Sequence, residues 1–401
     1  MRLTAAGLVF TVIATLPTLA SAQKNYDEGA SDGEIKLGQT MPYSGPVSAA
    51  GASGTASTAY FDALNKAGGI NGRKVKLLTL DDAYSPPKTV EVTRKLVESD
   101  GVFLIYGSVG TPTNAAIQRY MNSKKVPQLF LATGASRFKD PKTSPWTLGL
   151  LPGYDTEARA LARYVLKTVP EPKIAMLVQN DDLGKDFAAG FKAGLGDKAQ
   201  SLIVSQQSFE VSDPTISSQV VTAKASGANV FFFAGTQKFG AMQIRTRHEL
   251  GWKPLHVICS TSSGVEAVLK PAGFEAAEGV VSTAYVKDPT NPAVQNDEDV
   301  KQYLDWLKTN LPQRDAREGG LIVGYIASYL TAQVLKEAGD DLTRANVMKI
   351  ATNLKNVRAP MLLPGIAFNT SPTNYAMIDQ FQIQQFRNGA WTNVGDVISG
   401  E

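Results

Sequence analysis

The chain has 401 residues, of which 43% are hydrophobic, 8% aromatic and 19% charged, so it has the composition of a globular protein long enough for two domains. With 40 basic and 37 acidic residues interleaved, the formal charge is only +3; no dense basic face is expected, and nucleic acid is not an expected partner. One cysteine, Cys259, and two histidines are too few for an internal disulfide or a Cys/His zinc cage, so we expect no metal and no other cofactor.

Residues 1–22 have the features of an export signal. A basic residue precedes an apolar segment at residues 8–19 that is too short to span a bilayer, and the small-residue cleavage pattern Ala20-Ser21-Ala22 follows. Cleavage near Ala22 would leave a mature chain that begins at Gln23, and we expect this product in the periplasm. The alternative is an N-terminal membrane anchor, which Pro17 and the polar segment after the cleavage pattern disfavour.

The first 130 residues alternate between strand and helix. Strands are predicted at residues 35–41, 74–80, 103–106 and 128–132. Helices are predicted at residues 48–66, from Pro86 onward, and at residues 113–122. This repetition predicts a parallel sheet covered by helices.

The same alternation restarts after residues 146–152 and predicts a second lobe. Its helices are predicted at residues 155–167, 182–194, 215–224 and 237–250, and its strands at residues 174–178, 202–205, 230–233, 255–259 and 280–285. Further helices are predicted at residues 300–310, 324–338 and 344–354. Near the end, Asn388-Gly389 predicts a hairpin turn between two strands.

The resulting fold class is α/β, with two Rossmann-like lobes and a ligand cleft between them. We assign residues 34–150 and 283–358 to lobe I, and residues 151–282 and 359–398 to lobe II. Several crossings of the chain between the lobes would form a multi-strand hinge in place of a single flexible linker.

The loop after the strand at residues 103–106 is a candidate ligand site, because ligands of open parallel sheets bind beyond the carboxyl ends of strands. This loop reads Gly107-Ser108-Val109-Gly110-Thr111-Pro112-Thr113, in which Thr111 is a predicted N-cap and Pro112 fits the first helical position. Free amide groups at the helix start, with the hydroxyls of Thr111 and Thr113, predict a carboxylate site. An ordinary capped helix explains the same residues equally well. The neighbouring loop, Ala132-Thr133-Gly134-Ala135-Ser136, favours the ligand site.

Catalytic motifs lack the structural context that they require. Residues 194–199 fit a dinucleotide-binding pattern, but they end a predicted helix and precede a strand. His248 and His256 stand in no motif that would make either a base, and the pairs Asp81-Asp82 and Asp181-Asp182 are more typical of caps and turns. We therefore expect no catalytic residues, with a secreted enzyme as the less favoured alternative.

Several segments, met in order along the chain, resemble the leucine/isoleucine/valine-binding protein family, whose members are periplasmic receptors of ABC importers. The resemblance is carried by Met41-Pro42-Tyr43-Ser44-Gly45-Pro46, Gly68-Gly69-Ile70-Asn71-Gly72-Arg73, Asp81-Asp82 and Asn180-Asp181-Asp182-Leu183-Gly184. It implies a type I periplasmic binding fold, three strands that cross between the lobes, and closure of the lobes on a ligand. It also implies permease and ATPase partner subunits, and we expect the receptor itself to be a monomer. A ligand-sensing receptor subunit is the alternative.

The family's binding positions carry over unevenly. The position that gives a hydroxyl and an amide to the ligand carboxylate matches Thr111, with Val109 and Gly110 beside it, and a backbone carbonyl position matches Ala132 in the loop that holds Thr133. The second hydroxyl donor falls on Gly134, two tyrosine positions fall on Leu183 and Thr236, and the glutamate that meets an ammonium group falls on Ser260 or Thr261.

Because residues 260–263 contain no acidic side chain, we expect lobe II to lack the charge that a buried ammonium group needs. The predicted ligand is a small carboxylate with an apolar or aromatic body that packs against Tyr43 and Leu183. Branched-chain and other hydrophobic amino acids are the family default.

Overall fold

The computed structural model describes residues 24–400, so the predicted export signal at residues 1–22 and its cleavage site lie outside the described residues. The strands are β1 Asn25–Tyr26, β2 Glu34–Met41, β3 Lys74–Asp81, β4 Leu104–Tyr106, β5 Gln128–Leu131, β6 Thr147–Gly149, β7 Ile174–Gln179, β8 Ile203–Phe209, β9 Val230–Ala234, β10 Leu255–Ile258, β11 Val281–Ala284, β12 Asp341–Leu342, β13 Gln380–Arg387 and β14 Ala390–Ser399.

The helices fill the intervals between these strands. They are α1 Ala52–Lys66, α2 Pro86–Arg94, α3 Thr111–Lys124, α4 Tyr154–Thr168, α5 Asp182–Leu195, α6 Ala199–Leu202, α7 Ser217–Ala225, α8 Gln237–Glu249, α9 Lys270–Ala272, α10 Phe274–Ala277, α11 Glu298–Asn310, α12 Gly319–Ala338 and α13 Arg344–Ala351. Among residues 24–400, none of these helices combines the length and the apolar character needed to cross a bilayer.

The strands form two large sheets, one in each lobe. The lobe I sheet has the order β3-β2-β4-β5-β6 and is parallel throughout. The lobe II sheet has the order β14-β13-β11-β10-β9-β7-β8 and is parallel except at β13 and β14. The strand order reverses between β2 and β4 in lobe I and between β7 and β9 in lobe II. At such a reversal the loops after the two strands lead in opposite directions, which leaves a crevice where a ligand can bind.

Lobe II has a core on each face of its sheet, and β9 shows why. All five residues of β9 are buried, and because side chains alternate along a strand, Val230 and Phe232 join one core while Phe231 and Phe233 join the other. Phe232 stacks on Phe191 of α5, with ring centroids 4.2 Å apart. A continuous apolar strand is what a sheet covered by helices on both faces requires.

Three crossings join the lobes within the described residues: after β6, after β11 and before β13. The first two lie next to the boundaries expected from the sequence. The third requires a correction, because residues 359–378 do not belong to lobe II as we had assigned them. Their apolar side chains, Phe368 and Met377 among them, pack in the core of lobe I, and the chain enters the lobe II sheet only at Gln380.

Candidate functional site

A cleft lies between the lobes at the two points where the strand order reverses. It encloses about 1320 Å³, counting the solvent at its mouth, and most of its lining is apolar. Aromatic walls come from Tyr84, Tyr154, Tyr285 and Trp391, each no more than 9% exposed. A concave, mainly apolar pocket with a few convergent polar groups is the form that small-molecule sites usually take.

The start of α3 forms one end of the cleft, with Gly110 as its N-cap. Gly110 has φ 114°, and a Cβ atom there would lie 2.4 Å from Thr113 Oγ1, so both the conformation and the crowding call for glycine. The predicted cap at Thr111 is therefore wrong: Thr111 is the first helical residue, and its hydroxyl shares a 2.8 Å hydrogen bond with the hydroxyl of Thr133.

Two tyrosines bring their hydroxyls to this helix start. The hydroxyl of Tyr84 lies at the backbone N–H of Thr111, and that of Tyr154 lies beside the hydroxyls of Thr133 and Thr111. Burial raises the pKa of Tyr154 to about 12 and raises the pKa of Tyr84 well above its ordinary value. Both tyrosines are therefore neutral at physiological pH, and this cluster of hydroxyls can donate hydrogen bonds to an anion.

Eight of the twelve sequence-predicted ligand residues line the cleft. They are Val109, Gly110, Thr111, Ala132, Leu183, Thr236, Ser260 and Thr261. Thr133 and Thr113 are buried behind them, with the Thr113 hydroxyl donating to Val109 O, and Gly134 lies under the backbone of Pro152.

Tyr43 does not lie in this cleft, which corrects the expectation that its ring packs against the ligand. Its hydroxyl shares a 2.7 Å hydrogen bond with Thr79 Oγ1, and its ring lies along α1 in a separate surface depression. Gly54 of α1 permits this position, because a Cβ atom there would meet the Tyr43 hydroxyl at 2.2 Å. Tyr84, rather than Tyr43, supplies the aromatic wall of lobe I.

Glu157 of α4 is the residue that the sequence reasoning missed. It is 0% exposed, and its carboxylate accepts hydrogen bonds from the Ser260 backbone N–H (2.7 Å), the Ser260 hydroxyl (2.7 Å) and the Thr283 hydroxyl (2.8 Å). The expectation that lobe II has no acidic side chain here is corrected, because α4 places the Glu157 carboxyl group behind Ser260 and Thr283, where burial raises its pKa. A signal existed: Glu157 falls on the buried face of α4, between Tyr154 and Leu161, where an apolar residue is expected.

The predicted roles of the acidic pairs are confirmed. Asp82 accepts hydrogen bonds from Tyr84 N and Thr89 Oγ1, which holds Tyr84 at φ 58° with its ring toward the cleft. Asp181 is the N-cap of α5 and accepts from Gly184 N at 3.3 Å. These carboxylates order turns at the ends of strands and so position the residues that line the cleft.

The two lobes contact each other on both sides of the cleft. On one side, Asp186 of α5 accepts hydrogen bonds from the backbone N–H and the hydroxyl of Ser136, at 2.7 and 2.8 Å. On the other side, Arg317 Nη2 lies 2.8 Å from Glu266 Oε1. These contacts join the two lobes across the cleft.

Burial keeps two titratable side chains that shortly precede the cleft residue Ser260 in the sequence, those of Cys259 and His256, in their neutral forms. Burial raises the pKa of the Cys259 thiol to about 11 and holds the pKa of His256 well below its usual value, so neither presents a thiolate or an imidazolium. Among residues 24–400, no group of three or more His, Cys, Asp or Glu side chains is placed to hold a metal ion.

Comparison with known proteins gives consistent likenesses. A family model described as periplasmic binding protein matches residues 34–390. Leu/Ile/Val-binding protein homolog 3 of Brucella melitensis is 30% identical over 229 residues, which are 56% of this chain and 61% of that protein, so the alignment spans about three fifths of the relative.

Solved structures match over nearly the whole chain. A branched chain amino acid ABC transporter structure from Thermus thermophilus with bound valine has a TM-score of 0.80 at 16% identity, covering 91% of this chain and 96% of that one. A fatty acid ABC transporter substrate-binding protein from Thermomonospora curvata has a TM-score of 0.79 at 17% identity, covering 94% and 95%. At such identities the likeness concerns the fold alone, and it confirms the two-lobe α/β architecture expected from the sequence.

Proposed function

Because the chain belongs to the periplasmic binding protein family, of the leucine/isoleucine/valine-binding type, we propose that it is the extracytoplasmic solute receptor of an ABC importer. Members of this family are ligand-binding receptors with a type I periplasmic binding fold. The receptor would bind a small carboxylate by closure of its two lobes and deliver it to a membrane permease that an ATPase drives. Its place of action would be the periplasm, after cleavage of the export signal near Ala22.

One observation carries this proposal: hydroxyl donors gather at the start of α3, on the wall of a mainly apolar cleft. Thr111, Tyr84 and Tyr154 provide these donors without a formal charge of their own. A helix N-terminus carries a partial positive charge that favours an anion. The dipoles of the helix start and of the hydroxyl groups would stabilise the negative charge of a bound carboxylate. The aromatic walls would remove the apolar part of the ligand from water.

The nature of the lining favours an apolar body for the ligand. Leu183, Val265, Tyr285 and Trp391 face the cleft, and burying apolar surface against such side chains stabilises a complex by roughly 25 cal/mol per Å². Valine, bound in one solved relative, and fatty acids, named for another, are both carboxylates with an apolar body. Hydrophobic amino acids and aromatic acids both satisfy this description.

Mass spectrometry of the small molecules released on denaturing the purified protein tests the proposal, together with calorimetric titration of leucine, valine, dodecanoate and 4-hydroxycinnamate. We expect a bound or titratable carboxylate and a change in tryptophan fluorescence, because Trp391 lines the cleft. We expect no turnover of any acid that binds. A protein that binds no carboxylate, or one that converts it to a product, would contradict the proposal.

A further inference from the structure

Five serine and threonine hydroxyl groups on the lobe II wall of the cleft share one property: each donates its single proton to an acceptor of the protein. The five donors with their acceptors are Thr236 to Gln179 Oε1 (3.0 Å), Ser260 to Glu157 Oε2 (2.7 Å), Thr261 to Gly235 O (3.0 Å), Ser263 to Ser260 O (2.8 Å) and Thr283 to Glu157 Oε1 (2.8 Å). A hydroxyl has one proton and two lone pairs, so these groups can offer a ligand only lone pairs.

The direction of these bonds follows from the acceptors. The carbonyl oxygens of Gly235 and Ser260 have no proton to give, and Gln179 is oriented because its Nε2 donates to Asp181 at 2.6 Å. Glu157 receives three donors, two of them on Oε1 and one on Oε2; full burial raises the pKa of this carboxyl group, and the three hydrogen bonds oppose that rise by stabilising the ionised form. The wall therefore presents acceptors to the cleft.

Glu157 also places an acidic group behind this wall. Within residues 24–400 its carboxyl group forms no ion pair, and the side chains of Ser260 and Thr283, which bond to it, line the cleft. A buried carboxylate with no cation beside it is costly in a folded protein unless hydrogen bonds or a ligand offset the charge. The opposite wall, at the start of α3, carries donors, so the cleft is polarised from lobe I to lobe II.

We propose that Glu157 determines specificity at the lobe II wall by holding Ser260 and Thr283 as acceptors, so that the receptor selects carboxylates whose apolar body also carries a hydrogen-bond donor, a hydroxyl or an ammonium group. This inference rests on the proposed function and narrows its ligand class. A plain alkyl or aryl acid would leave the acceptors of lobe II without partners when the lobes close, and buried polar groups without partners oppose binding.

Matched pairs of acids test the inference by calorimetry on the full-length mature protein. The pairs are 4-hydroxycinnamate with cinnamate, and leucine with 4-methylpentanoate; 4-methoxycinnamate adds an acid whose oxygen can only accept. We expect the donor-bearing member of at least one pair to bind tenfold or more tightly than its partner. The pair that shows the preference distinguishes a hydroxyl from an ammonium donor.

Two substitutions connect the preference to Glu157. Thr283→Val removes one acceptor at nearly constant volume, and Glu157→Gln removes the charge and lets the new amide donate to Ser260. Both should reduce the ratio of affinities within the selective pair several-fold. Ser282→Ala is the matched control, because Ser282 is the buried neighbour on β11 whose side chain does not line the cleft; it should leave the ratio unchanged. Circular dichroism identifies any variant that fails to fold, and Thr283→Val keeps the test decisive if Glu157→Gln is one of them.

The outcomes separate the inference from the proposed function. Tight binding of acids without regard to the donor, or a preference that survives Thr283→Val unchanged, overturns the role of Glu157 and leaves the receptor function intact. Failure of all five acids to bind, with no carboxylate among the molecules released on denaturation and no binding of valine or dodecanoate, overturns both.

Discussion

Thr111 is the point where a bound anion and the first turn of α3 would meet. Its hydroxyl lies in the cleft at 1% exposure and is paired with Thr133, so it is held in place before any ligand arrives. We predict that Thr111→Ala weakens carboxylate binding by about 1 to 3 kcal/mol, roughly 5- to 150-fold, because a buried anion loses one charge-assisted donor. Calorimetry with the acid that binds best measures the change.

Ser123→Ala is the control for this variant. Ser123 is exposed near the other end of the same helix, where its hydroxyl donates to Tyr120 O, and its loss should not alter affinity. Equal affinities of Thr111→Ala and the native protein would place the anion elsewhere in the cleft.

Asp155 provides a test by pH. Burial opposes its ionisation, but Lys139 and Arg159 beside it outweigh burial and hold the pKa of Asp155 below its ordinary value of 3.8. A lowered carboxyl pKa contributes stability above the unfolded value, and this is lost as the pH falls through the folded pKa. We predict that Asp155→Asn makes the free energy of unfolding fall less steeply below about pH 4. Urea unfolding between pH 2.5 and 7 measures this, with the exposed Asp197→Asn as the control; an unchanged slope in Asp155→Asn would contradict it.

Single residues show where sequence reasoning succeeds and where it stops. The loop of Gly110 and Thr111 was identifiable because glycine and hydroxyl residues after a short apolar strand have a local physical meaning. The burial of Glu157 could be inferred from its place on the apolar face of α4, but its role could not, since its partners Ser260 and Thr283 are brought to it by the sheet of lobe II. Tyr43 was placed wrongly because a local motif does not reveal which way a ring turns; the space beside Gly54 decides it.

At the level of elements, the packing of α12 on α1 fixes the back of lobe I. Gly324 makes the close approach possible: a Cβ atom there would lie 2.1 Å from Ser53 O, a backbone atom of α1. We predict that Gly324→Ala lowers the free energy of unfolding by about 1 to 3 kcal/mol or more, because the two helices must move apart. Thermal and urea unfolding measure the change.

Gly319, in the first turn of the same helix, is the matched control for Gly324. A Cβ atom at Gly319 would meet nothing within 4 Å, so Gly319→Ala should be neutral or slightly stabilising in unfolding experiments. A Gly324→Ala protein as stable as Gly319→Ala would show that the helices have room to adjust.

Helices and strands with a clear local sequence pattern could be predicted. Those that form only by pairing with a segment far away in the sequence could not. The apolar run of β9 and the Asn388-Gly389 turn, with φ 52° and 81°, have local causes, and both occur where expected. Strands β1 and β12 are two residues each and exist only because Asn25 pairs with Asp341 across most of the chain. Helix α12 begins at Gly319, before its predicted start at residue 324.

For the whole molecule, we expect the three crossings to limit how the lobes move. Several short connections side by side would restrict relative motion to a hinge that opens and closes the cleft without changing either sheet. The sequence could predict two lobes from the restart of the strand and helix alternation. It could not place residues 359–378, because that segment contains neither a helix nor a strand of the two large sheets, and only its packing in the core of lobe I assigns it.

Asp186 of lobe II bonds to Ser136 of lobe I, so we expect these contacts to contribute to the free energy of closure. We predict that Asp186→Ala weakens carboxylate binding by about 1 to 2 kcal/mol, because two hydrogen bonds between the lobes, both to a charged group, are lost. Small-angle scattering with ligand present should show a larger radius of gyration than the native complex. Asp197→Ala, which removes an exposed acidic residue of lobe II beyond the end of α5, should alter neither quantity. If Asp186→Ala binds and closes like the native protein, the contact follows closure without stabilising it, and the free energy of closure comes from the ligand held between the walls of the cleft.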